Sequence, residues 1–337
     1  MFRDVRYSRV VIRLGEESEM RFPGRESFLL LCLCAVAATA SFSAPSVRAE
    51  NLPLPPEARQ AMDKIYGGDP DAAIPIAREI QRTQPEHPLG FLLEGEALWW
   101  KRSCAAYELK YNIADSWKRS KDPRDEAYFA LADKVIRLAN AMNEKSETAE
   151  MHVYAGIGWA LKARVYALRN ETRNVAREGV NGRSEMIRAL QLDPQMADAS
   201  AGLGLYNYYV DTLSPIVKIL RFFMGIPGGD KQAGVKQMET GMREGALLAV
   251  DTRFVLARAF RQYDGKYEEA IKVAEPLAAR YPKNPLFQML LGNINMQLGR
   301  KSTARPYLQA VLDAKLPDDA CGDRLREIAR AFLSSPN

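Results

Sequence analysis

The sequence has few of the side chains that most often perform chemistry: two histidines, four cysteines and four tryptophans among 337 residues. His87 stands beside Pro88, and His152 lies in a helical stretch with no cysteine or acidic partner at metal spacing. Both read as surface or interhelix residues. HExxH, GxSxG, Walker A and a strand-linked GxGxxG are all missing, so an enzyme reading has no residues to stand on. Charge of one sign is scarce as well. Lys and Arg number 47 against 42 Asp and Glu; residues 1–49 hold seven and five of them, leaving 40 against 37. A surplus that small and unclustered gives no footprint for nucleic acid. Also absent is a run of about twenty apolar residues, the length a membrane-spanning helix requires. A composition of 47% hydrophobic and 26% charged residues, with a mean hydropathy of −0.28, excludes a mostly disordered chain. What remains is a folded, water-soluble body that needs no cofactor or metal.

The most apolar stretch, Phe28 to Ala40, is thirteen residues long and has the length of a secretory signal core. Arg21 and Arg25 precede it, and Val47-Arg48-Ala49 offers a small-residue cleavage site. The expectation is a signal peptide over 1–49, with 1–19 upstream of a true start at Met20, and a periplasmic or secreted chain from Glu50. That chain keeps two cysteines, Cys104 and Cys321, expected to be separate thiols because an extended array holds them apart.

An internal repeat organises the rest. Gly68, Ala73 and Pro85 share their spacing with Gly265, Ala270 and Pro282, and Gly299 and Ala304 follow Gly265 and Ala270 at thirty-four residues. Pro85, Pro194 and Pro282 are each followed ten residues later by a glycine, Gly95, Gly204 and Gly292. The proline ends one unit, because it cannot continue a helix. The glycine falls inside the next unit's first helix, where it allows two helices to approach closely. Periodicity predicts further helices over 124–143, 147–169 and 172–192, with breaks at Asn170-Glu171 and Asn181-Gly182.

These motifs, with the Leu203-Gly204 and Leu291-Gly292 pairs, resemble the tetratricopeptide-repeat family, whose period is thirty-four residues. The segment from Gly202 through Gly225-Ile226-Pro227-Gly228-Gly229-Asp230 is similar to exported bacterial repeat proteins. The resemblance implies an all-α solenoid of about a dozen helices with an irregular middle. Its parts are helical repeats over 50–209, an apolar helix and Gly-rich turn over 210–250, and C-terminal repeats with a capping helix over 251–334. Arg324 to Leu333 is the expected cap.

In this family late first-helix positions tend to face a concave groove. The repeat register places Trp99-Trp100, Tyr208-Tyr209, Tyr263, Met289, Asn293 and Met296 there, implying a scaffold that binds a protein or peptide. Adjacent helical residues point about 100° apart, so one aromatic of each pair is equally suited to the core. The family's carboxylate-binding set is not reproduced: where one unit has Asn293, the others have Glu96, Leu205 and Ala259. Two other readings compete with the scaffold. In one, the apolar helix Ser214–Met224 touches a membrane surface, although it has only two cations, Lys218 and Arg221, and no tryptophan, and its wide apolar face favours burial. In the other, an enzyme uses a cavity inside the solenoid and needs convergent acids that the repeat register does not align.

Overall fold

The structure, a computed structural model, describes residues 52–106, 122–213, 218, 221, 225–316 and 320–334. Among the described residues there are thirteen α-helices, one π-helical turn and no strand. In chain order they are α1 Pro56–Tyr66, α2 Pro70–Thr83, α3 Leu89–Ala106, α4 Arg124–Lys145, α5 Ala149–Leu168, α6 Thr172–Leu192 and α7 Ala197–Thr212. There follow α8 Lys231–Glu244, α9 Ala249–Ala259, the π turn Phe260–Asp264, α10 Tyr267–Arg280, α11 Pro285–Gln297, α12 Lys301–Asp313 and α13 Ala320–Ser334. The signal-peptide region, the apolar residues around Lys218 and Arg221, and the side chains of Cys104 and Cys321 lie outside the described residues.

The repeat signature now has a physical cause. Gly68, Gly265 and Gly299 each stand in the turn between the two helices of a unit, with φ of +90°, +62° and +70°. A Cβ is strained in that left-handed region, which is why glycine recurs there. Asn170 makes the same turn between α5 and α6, at φ +58°. Ala73, Ala270 and Ala304 are fully buried on the second helix of each unit. Side chains close several helix starts: Thr148 Oγ1 accepts from Met151 N at 3.2 Å, Asp230 Oδ1 from Ala233 N at 3.0 Å and Asn284 Oδ1 from Leu286 N at 2.9 Å. The helices expected over 124–143, 147–169 and 172–192 are α4, α5 and α6. The break expected at Asn181-Gly182 does not occur, because α6 runs unbroken through it.

Each helix packs against the next along the chain. A close crossing joins α7 and α8. A Cβ on Gly204 would lie 2.8 Å from Gly234 O, and one on Gly234 would lie 2.8 Å from Gly204 O. The two backbones touch because neither residue has a side chain. At the end of the array α13 buries Leu325 and Ala329 against α12, with Ile328 and Phe332 packed beside them, as a cap should.

The array does not stay extended. Asn284 Nδ2 donates to Tyr66 O at 2.8 Å, and Tyr281 OH to Asp63 Oδ1 at 3.0 Å, joining residues 218 apart in the chain. Helix α13 also reaches α3. The expectation of well-separated ends is therefore corrected: α1 and α3 pack onto α9, α10 and α11, and burial of aromatic surface drives the contact.

Candidate functional site

The seam between the N-terminal and C-terminal repeats is built around Trp100. Its ring centroid lies 5.3 Å from Tyr66 of α1, 5.4 Å from Phe254 of α9 and 5.6 Å from Phe287 of α11. Tyr281 joins the cluster 6.1 Å from both Tyr66 and Phe287. Edge-on and tilted pairs of this kind add to the gain from area burial.

Beside the aromatics is a buried charge cluster. Arg164 of α5 donates from Nη1 to both oxygens of Glu96 on α3 at 2.9 Å, and from Nη2 to Asp251 Oδ2 on α9 at 3.2 Å. The guanidinium also lies over the Trp99 ring, 5.4 Å from its centroid. Two almost fully buried carboxylates thus converge on one cation. Burial pushes the Glu96 carboxyl up to about 7; Arg164 opposes the shift and Asp251 adds to it. Glu94, two residues before Glu96, is held by Arg78 and Gln81 of α2 at 2.8 and 2.7 Å. Close to the seam in sequence, Thr252 Oγ1 and both side-chain polar atoms of Asn293 are buried without a hydrogen-bond partner.

A second aromatic group reaches the surface. Tyr208, Tyr209 and Tyr263 form a triangle with centroid separations of 5.7, 6.5 and 6.0 Å. Tyr263 sits on the π turn, an insertion that re-aims side chains and recurs at functional positions. Beneath it, Tyr208 OH donates to Asp264 Oδ2 at 3.0 Å, and Lys231 pairs with Asp264 while lying 5.2 Å over the Tyr208 ring. Burial, reinforced by Asp264, raises the Tyr208 hydroxyl far above its ordinary range, so it remains a neutral donor.

The eight residues nominated for a groove divide sharply. Trp99 and Trp100 are 6% and 5% exposed, and Tyr208, Met289 and Asn293 are fully buried, so these five line the core of the closed array. Tyr209 and Met296 are half-buried against that core, and Tyr263, 36% exposed, presents its ring to solvent. The late first-helix face does turn inward, but the inward space is filled by the chain's own distant repeats. Glu96, Arg164, Asp251, Tyr66, Phe254 and Phe287 were not nominated. A sequence signal existed for one of them, since Glu96 is an acid in the apolar run of α3.

The remaining candidates have structural roles. His87 Nδ1 accepts from Leu89 N at 3.2 Å at the start of α3. His152 does have acidic partners, Glu185 at 2.6 Å and Glu147 at 3.0 Å, supplied by the next helix and the preceding turn. Glu268 opens α10 and pairs with Arg300. Among the described residues no group of His, Cys, Asp or Glu is arranged to hold a metal ion, and no helix is long and apolar enough to cross a membrane.

Comparison with known proteins agrees with this architecture. The tetratricopeptide repeat profile matches residues 254–320, which span α9 to α12. Over this segment the helix-turn-helix units are similar to tetratricopeptide repeats. Among solved structures it is similar to a chain of the APC/C hetero-tetramer Cut9–Hcn1, with 11% identity and a TM-score of 0.35. That match covers 81% of this chain but 48% of the other, so this chain spans about half the length of the structure it matches. No curated protein matches it. Repeats of this kind form protein-interaction scaffolds.

Proposed function

We propose that this chain is an exported, non-enzymatic scaffold that contacts a partner polypeptide through the surface centred on Tyr263 and Tyr209. The observation that carries the reading is the Tyr263 ring, raised on the π turn and backed at 6.0 Å by Tyr209. Two tyrosines with few rotatable bonds offer apolar area and hydroxyl groups together, the combination that serves recognition at small entropic cost. Lys231 and Asp264 below them fix the platform. Export is supported by the apolar core Phe28 to Ala40 and the small-residue site before Glu50. It predicts an envelope-derived protein whose N-terminal residue is Glu50, readable by intact-mass measurement.

The contact surface is tested by placing a photoactivatable side chain at position 263 and, as a control, at Leu192, another exposed large apolar residue. A discrete polypeptide adduct from position 263 and none from 192 is the expected result. Identical adducts from both positions, or none from 263, sink the reading.

A further inference from the structure

The cluster of Glu96, Arg164 and Asp251 is costly to bury, and a purely structural seam has no need of it. Its three members come from α3, α5 and α9, so it ties the N-terminal repeats to the C-terminal ones across the closure. One guanidinium faces two carboxylates, both almost fully buried. With both ionised the seam holds a net negative charge; with one proton added it is neutral. We propose that Glu96 holds a solvent-derived proton while the array is closed, and that loss of this proton is the release by which α3 separates from α9. This rests on the scaffold reading and adds to it a pH-dependent closure of the array.

Three features support a fastener that is built to open. The groups facing Glu96 are Arg164 from α5, Asp251 from α9 and the buried Tyr66 ring from α1. Neighbouring charges are engaged elsewhere: Arg78 of α2 holds Glu94, and Lys134 of α4 lies over Phe91. Among the described residues, Arg164 is the cation that pairs with both carboxylates. Next, the unpaired atoms of Thr252 and Asn293 sit on α9 and α11, the helices that receive α3. Finally, the released face carries Trp100, Phe254 and Phe287, whose rings meet only because the seam is shut.

The sign of the pH effect follows from linkage. The Glu96 carboxyl is raised from its ordinary 4.5 to about 7 in the closed state. The closed state therefore binds a proton that the open state releases, and closure weakens as pH rises between these two values. Hydrogen exchange of α3 and α9 in the full chain, corrected for intrinsic rates, should show protection falling on the order of a hundred-fold between pH 5 and pH 8. Glu96→Gln should abolish that slope and keep the seam protected at pH 8. Asp251→Asn leaves Glu96 alone with Arg164 and should move the transition to lower pH without removing it, which a merely structural residue would not do. Glu94→Gln, outside the seam, should leave the slope unchanged. A pH-independent wild-type profile, or the same slope in Glu96→Gln, overturns the proposal. The exchange measurement uses no partner, so its failure leaves the Tyr263 surface to be judged by crosslinking alone.

Discussion

Trp100→Ala should lower the stability of the chain by about 4 kcal/mol, the range for removing a buried large aromatic side chain. The indole is 5% exposed and meets Tyr66, Phe254 and Phe287 at 5.3 to 5.6 Å. Truncation leaves a hole on three helices drawn from both ends of the array, and rigid helices cannot collapse to fill it. At roughly 2–3 °C per kcal/mol for a chain of this size, the thermal midpoint should drop by about 10 °C. A melt followed by circular dichroism reads this directly. In an open solenoid Trp100 would line a solvent-filled groove, and the same change would cost within about 0.5 kcal/mol. A shift under about 2 °C with unchanged helix content would refute the closed seam and return Trp100 to the partner surface.

Other positions give independent checks. Gly204→Ala places a methyl 2.8 Å from Gly234 O and 2.9 Å from Met238 N, both backbone atoms that cannot yield. It should cost roughly 1–3 kcal/mol by urea denaturation, while Gly95→Ala, which meets only the end of the Leu161 side chain, should cost less. Asp198→Ala removes the acceptor for three backbone N–H groups, Ala246, Leu247 and Leu248, at 2.9, 3.0 and 2.7 Å. A loss of roughly 3 kcal/mol is expected, with faster hydrogen exchange confined at first to residues 246–248.

The helices and their turns could be read from the residues alone. Gly68, Gly265 and Gly299 marked the repeat spacing and turned out to make the left-handed turns, and Pro282 closed a unit shortly before α11 begins at Pro285. Such signals work because each depends on a few neighbouring residues: a φ angle, a missing N–H, a cap. The break misplaced at Asn181-Gly182 shows the limit of that locality. Gly182 is a weak helix former, yet packing of α6 against α5 holds the helix through it.

The candidate site was legible only in part. Tyr263 and Tyr209 keep a share of surface, but an indole at position 100 has the same sequence pattern whether it faces solvent or another repeat. What decided its fate was the path of the whole stack. Along it α1 and α3 meet α9, α10 and α11, bringing Asp63 to Tyr281 across 218 positions and Glu96 and Asp251 to one guanidinium. No local rule encodes that path. The sequence by itself determined the repeating unit, because helix, turn and cap are short-range choices. Tertiary structure alone decided that the trough is closed, because closure depends on surfaces that become neighbours only after every unit has been stacked.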